Sequence, residues 1–258
     1  MKKFLLFTSL VFIQAILCAQ PAANSNRLFF ELRIYHFANA DQQKITEDFL
    51  QHRYIDFLHK SGIDAVGVFK PLGDDTASLK KLYVLVPYTS LKQFDEIKSK
   101  LPEPFIEKGK DFVNATHDKP AFTRIEAMLL KAFTHMPFLE KPSLSSLREE
   151  RVYELRSYES PSERIFQNKV HMFNEGGEIA LFKRLGFNAV FYSEAVIGPR
   201  LPNLVYMVTF NNMKEREEHW KAFGADAEWK RLSALPQYQN NVSKIDNYFL
   251  RPTSYSDY

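Results

Sequence analysis

A five-residue pattern, Glu-Leu-Arg-x-Tyr, occurs twice in this chain, at Glu31–Tyr35 and at Glu154–Tyr158, 123 residues apart. The recurrence continues on both sides. Gly62-Ile-Asp-Ala-Val returns as Gly186-Phe-Asn-Ala-Val at an offset of 124, Leu91-Lys92 as Met213-Lys214 at 122, and Glu126–Lys131 as Asp246–Arg251 at 120. Four segments kept in one order at nearly one spacing mark a duplicated unit, so the chain is expected to fold the same way twice. The first unit spans 27–134 and the second 150–252, with a Pro-containing linker at 135–149 and a short tail at 253–258.

Within each unit the hydrophobic period switches in a fixed order. Residues 28–36 alternate as a strand does, and 41–60 carries Ile45, Phe49, Ile55 and Leu58 at helical spacing. Gly62 follows where a helix end wants a positive φ. Residues 65–69 and 82–88 read as strands across a Gly73-Asp74-Asp75 turn, 91–100 as an amphipathic helix and 122–133 as a last strand. The second unit repeats this: a strand at Val152, a helix over 162–185, strands at Ala189 and Tyr206, a helix over 213–232 and a strand at Ile245. The order βαββαβ is that of a ferredoxin-like unit. Such a unit covers only one face of its sheet with helices. The expected fold class is therefore α+β, two tandem ferredoxin-like units packed sheet to sheet into a barrel within one chain, with room for a ligand between the sheets.

The N-terminus reads as an export signal. Lys2 and Lys3 precede an apolar run from Phe4 to Cys18, and cleavage is expected near Ala19, giving a signal peptide over 1–19 and a periplasmic or secreted protein. Lipidation of Cys18 is the other reading, opposed by Leu17 just before it. Cys18 is the chain's one cysteine, so disulfide frameworks and cysteine-built metal centres are excluded. Removing Lys2 and Lys3 leaves 32 basic against 31 acidic residues, so no pull toward nucleic acid follows. No transmembrane span is expected in the mature chain.

The two Glu-Leu-Arg-x-Tyr strands, the segment MFNEGGEIALFKRLG (172–186), the turn GPRLPNLVYM (198–207) and FGADAEWKRL (223–232) together resemble the NIPSNAP family, over nearly the whole mature chain and most strongly from about Val152 onward. The resemblance implies the dimeric α+β barrel superfamily, whose other members include cofactor-free monooxygenases, isomerases and haem-dependent enzymes. It carries over no settled enzymatic activity. Eukaryotic members of the family are associated with mitochondria and trafficking; this N-terminus looks secretory and lacks an Arg-rich presequence.

Alternation sends Phe30, Leu32 and Ile34 to one face of the first strand and Glu31, Arg33 and Tyr35 to the other. If the helices take the apolar face, the polar triplet points into the barrel, and so by the repeat do Glu154, Arg156 and Tyr158. Two readings stay open: a ligand-binding site that steers anions, with Glu154 as a base, or buried Glu and Arg compensating one another. Gly176 and Gly177 fall inside the 162–185 helix at a cost of about 1 kcal/mol each relative to Ala, which a close neighbour or a ligand must offset. On that helix His171, Glu175 and Glu178 stand at i, i+4 and i+7. They are candidate metal ligands, with a partly solvated Glu–Lys face as the plainer account, and His171 is a second candidate base. Arg200, in the stiff turn Gly198–Asn203, is placed either to bind a carboxylate at the cavity mouth or simply on the surface. Trp220 and Trp229 read as core packing. His36 and the other histidines read as ordinary surface or strand-end residues.

The chain contains no G-x-S-x-G, H-E-x-x-H, P-loop or G-x-G-x-x-G motif. Neither sheet shows the aromatic pattern of an RNA-binding unit. The sequence thus points to binding of a small anionic or aromatic molecule between the sheets, with no metal or cofactor and no nucleic-acid partner; a homo-oligomer stays open. The alternatives are a cofactor-independent monooxygenase or isomerase, and a non-catalytic protein interaction module with a sealed barrel.

Overall fold

The computed structural model describes residues 27–73 and 80–258; the expected signal segment with Cys18 and Ala19, and Asp74 and Asp75 of the expected first turn, lie outside them. The first half contains β1 (Phe29–Phe37), α1 (Ala40–Phe49), α2 (Ile55–Lys60), β2 (Gly67–Pro71), β3 (Lys80–Tyr88), α3 (Leu91–Ser99), α4 (Lys110–Val113) and β4 (Arg124–Ala132). The second contains β5 (Val152–Glu159), α5 (Glu163–Phe173), α6 (Glu178–Arg184), β6 (Asn188–Ile197), β7 (Asn203–Phe210), α7 (Met213–Ala225), α8 (Ala227–Ser233) and β8 (Lys244–Pro252). The helix caps correspond between the two halves. Asn39 and Ser162 open the first long helix of each half, and Ser90 and Asn212 the later one, each accepting a backbone N–H from three residues on. Such a cap contributes about 1 kcal/mol.

The eight strands form a closed antiparallel barrel in the order β1-β3-β2-β8-β5-β7-β6-β4. Each half contributes four consecutive strands in the same internal order. The seams are β2 against β8, through Phe69–Pro252 to Pro71–Leu250, and β4 against β6, where a bulge falls between Leu129 and Leu130. Closure removes every free sheet edge. No helix among the described residues is long and apolar enough to cross a membrane.

The faces of the strands are the reverse of the sequence expectation. Phe30, Leu32, Phe69, Leu85, Tyr153, Leu155, Phe191, Val205, Met207 and Leu250 form one cluster drawn from both halves, which is the barrel interior. Tyr35 packs with Phe49, Leu50 and Tyr54 under the first-half helices, and Tyr158 with Phe166 and Phe173 under those of the second. The polar triplets Glu31, Arg33, Tyr35 and Glu154, Arg156, Tyr158 therefore lie between sheet and helices. This works because the helices supply their ionic partners, while the interior needs an unbroken apolar face to fill a narrow barrel.

Where β1 and β5 begin, the barrel is plugged. Leu139 and Leu144 of the linker and Tyr258 of the tail pack onto the interior cluster, and Leu28, Glu140 and Asp257 donate backbone N–H groups to Pro137, Val190 and Val66. The linker and tail are thus structural parts of the barrel rather than spacers.

Two long helices expected from the sequence are interrupted. The 162–185 helix stops at Phe173 and restarts at Glu178, with Gly177 at φ +90°. The 213–232 helix restarts after Asp226, whose carboxylate caps α8. The 41–60 helix is continuous but passes through a π-helical turn at Leu50–Tyr54.

Candidate functional site at the barrel mouth

The end opposite the plug opens into a cavity of about 190 Å³ between the two halves. Its floor is the interior face running out toward solvent: Ile34, Met128, Leu155 and Val205, with the phenols Tyr83 and Tyr248 at 5.9 Å between ring centroids. Its rim is charged. Lys81, His36 and Arg124 occupy one cross-strand rung of β3, β1 and β4, and Tyr83, Ile34 and Glu126 the next. Strand pairing fixes this order, since side chains opposite one another on one face are near neighbours.

Arg200 reaches the same rim from the β6–β7 turn. It adopts φ +68°, a left-handed conformation that costs a non-glycine residue about 1–2 kcal/mol. Its guanidinium pairs with Asp246 and donates to the Tyr248 hydroxyl at 3.2 Å. Arg200 lines the cavity while its half-exposed side chain is held by the chain's own Asp246. Arg124 holds Glu126 at 2.6 Å. Lys81 forms no ion pair among the described residues, so the mouth carries one uncompensated cation. His36 Nε2 lies 3.2 Å from Glu126 Oε1, yet the approach is misaligned and leaves this buried nitrogen without a directed hydrogen bond. Burial lowers the imidazole pKa, Glu126 pulls it up, and Lys81 and Arg124 push it down, for a net fall below the ordinary value.

The polar triplets make a different kind of site. Glu154 has no exposed surface and accepts Arg156 at 2.5 Å, both Nε and a terminal nitrogen of Arg216 at 2.9 and 3.0 Å, and the Trp220 indole at 2.8 Å. Burial alone would raise the carboxyl pKa; these donors outweigh it and hold the group below its usual range. Arg156 also donates to Tyr158, which bonds Tyr206, and stacks 4.3 Å over Trp220. In the first half Glu31 is held by Arg33 at 2.7 Å, Lys98 at 2.7 Å and Tyr88 at 3.1 Å, and Arg33 contacts the Tyr35 hydroxyl at 3.3 Å. These are compensated ionic joints between sheet and helices, facing away from the interior. A carboxylate with every lone pair occupied is poorly placed to accept a substrate proton.

A family match covers the half that carries the denser of these joints. Residues 153–257 match the NIPSNAP family model. Over that stretch the second half is similar to NIPSNAP domains. No curated protein matches the chain. Among solved structures, a protein from Fusobacterium nucleatum provisionally named a monooxygenase is 8% identical, with 88% of this chain aligned to 93% of it at a TM-score of 0.57. One of the same provisional name from Lactobacillus acidophilus is 11% identical, over 88% and 94%, at 0.53. An anthrone oxidase-like protein is 9% identical, over 90% and 93%, at 0.51. At these identities the likeness is one of fold: the α+β barrel extends over nearly the full length of each.

Within the second half the helix break separates the candidate metal ligands. His171 bonds the Tyr238 hydroxyl at 2.7 Å, Glu175 lies 3.6 Å from His135, and Glu178 pairs with Lys169 at 2.9 Å. They face three different partners, because the turn through Gly176 and Gly177 resets the helical phase that put them on one face. Among the described residues no group of three or more His, Cys, Asp or Glu side chains is gathered in a metal-binding arrangement. Neither Glu154 nor His171 reaches the barrel mouth. Lys169, unremarked in the sequence, is buried with Glu178 and lies 4.7 Å from the Phe173 ring centroid.

His36, Lys81, Arg124 and Glu126 were also missed as a group. Their signal is one of parity. Each continues, at the same end of the barrel, an alternating interior row that is apolar elsewhere: Phe30-Leu32-Ile34-His36, Lys81-Tyr83-Leu85 and Arg124-Glu126-Met128-Leu130.

Proposed function

We propose that the barrel mouth binds a small organic monoanion with a flat apolar body. The observation that carries this reading is the cavity itself: apolar at its floor, ringed by Lys81, Arg124, His36 and Arg200, with Lys81 lacking a carboxylate partner among the described residues. A dry cavity of about 150 Å³ accommodates one benzene ring, so about 190 Å³ suits a single-ring carboxylate. The ring would rest between Tyr83, Met128 and Leu155 with its carboxylate toward Lys81. Titration calorimetry with phenylacetate tests this. Saturable binding that weakens about tenfold in Lys81→Gln is expected; no binding at millimolar phenylacetate would contradict it.

The same strand order in both halves supports reading each as a ferredoxin-like unit, and the Lys2-Lys3 and apolar N-terminus supports export. N-terminal sequencing of the mature protein from a secreting host checks the latter, with a start near Gln20 expected and an intact Met1 against it. A second reading, a cofactor-independent oxidation or isomerisation, is favoured by the names of the fold neighbours and by the imidazole at the rim.

A further inference from the structure

The rim holds more than anion binding requires. Lys81 and Arg200 suffice to attract a carboxylate, yet the rung between Lys81 and Arg124 is filled by an imidazole. Its Nε2 is buried against Glu126 without a directed hydrogen bond, which in a folded protein calls for an explanation. Glu126, itself paired with Arg124, stands 3.2 Å from Nε2, so Nδ1 is the ring nitrogen it leaves for a base. Lys81, Arg124 and Arg200 line the same cavity with Tyr83 and Tyr248, Arg124 and Arg200 held by Glu126 and Asp246 and Lys81 without a carboxylate partner among the described residues. A neutral base beside a set of fixed positive charges is the arrangement that removing a proton from carbon demands, since the charge that develops on oxygen must be met as it forms.

We infer that the mouth catalyses keto–enol proton transfer on an aryl 2-oxo carboxylate, with His36 as the base and Glu126 as its positioning residue. This rests on the monoanion-binding reading and names the chemistry of that site. In the forward step the C3–H bond breaks and its proton goes to His36 Nδ1. The electron pair forms the C2–C3 double bond, and the carbonyl π pair moves to oxygen, where Lys81 and Tyr83 meet the charge. The imidazolium then returns its proton to that oxygen to give the enol. Atoms and electrons balance with no oxidant or cofactor. The groups facing His36 are Lys81 on β3 and Arg124 and Glu126 on β4. Their net effect, with burial, keeps the imidazole neutral at pH 7 and able to accept a proton.

The test uses phenylpyruvate and the full chain. Calorimetry measures its binding, and proton NMR in deuterium oxide measures exchange at C3 against buffer alone. The wild-type protein is expected to bind saturably and to accelerate exchange; His36→Gln should lose at least about 100-fold of that acceleration with affinity changed by less than about threefold. Glu126→Gln removes the charge that raises the His36 pKa, so the acidic limb of the exchange rate is expected to move to lower pH. This arm reads the same assignment should His36→Gln melt early. Binding with no acceleration, or acceleration unchanged in His36→Gln, overturns the proton-transfer inference and leaves the binding reading standing. Failure of phenylpyruvate to bind overturns both.

Discussion

The Trp220 indole donates to Glu154 Oε2 at 2.8 Å, tying α7 to the centre of β5. Together with Arg216 from the same helix, this bond explains why the polar face of the strand turns toward the helices and leaves the apolar face for the barrel.

Glu154→Gln should therefore destabilise the protein by about 3 kcal/mol, because it strips a buried partner from both Arg156 and Arg216. Denaturant unfolding measures this. The pH dependence has a definite sign. With the folded-state pKa below the ordinary 4.5, the stabilisation is complete above about pH 4.5 and is lost as pH falls through the folded value. A midpoint that drops between pH 5 and pH 3 in the wild type, and less so in Glu154→Gln, is expected.

A mixed α+β fold could be read from the sequence because strand and helix periods alternate along both halves, between segments such as Glu-Leu-Arg-x-Tyr that keep their spacing. Which side of the strand meets the helices could not. Both faces of 29–37 bear large apolar groups, Phe30 and Leu32 on one and Tyr35 and Phe37 on the other. What decides the matter is Lys98, Arg216 and Trp220, more than sixty residues downstream. The restricted turn left Arg200 either at a cavity mouth or on the surface, and His36 was passed over because its partners Lys81 and Arg124 join it only through strand pairing.

Gly177→Ala distinguishes a helix break from a helix interior. In a continuous helix the change would stabilise by about 1 kcal/mol. At φ +90° it should instead destabilise by about 1 kcal/mol or more, seen as a lower thermal midpoint. Gly176→Ala should share that sign, since an added Cβ would meet the Met172 carbonyl oxygen at 2.6 Å.

Lys169→Ala leaves Glu178 charged and unpaired in the core of the second half, at an expected cost of about 3 kcal/mol. The double variant Lys169→Met with Glu178→Leu should recover most of it. Chemical denaturation of the set measures the coupling; additive losses would show that the pair is not a unit.

Tyr258→Ala should open the plugged end. The ring is 3% exposed and lies 6.0 Å from that of Phe69, so its removal is expected to cost about 3 kcal/mol. Phenylacetate affinity at the far mouth should stay within about twofold, because the packed interior separates the two ends.

The central claim is that one barrel end is a ligand site and the other is closed. Proton–nitrogen NMR of the histidine, arginine and lysine side chains during a phenylacetate titration tests it most directly. Saturable shifts at His36, Lys81 and Arg200, with those of His36 and Arg200 reached only at about tenfold higher phenylacetate in Lys81→Gln, are the predicted result. Shifts confined to the outer groove around His52 and Arg53, with the mouth residues unmoved, would contradict it.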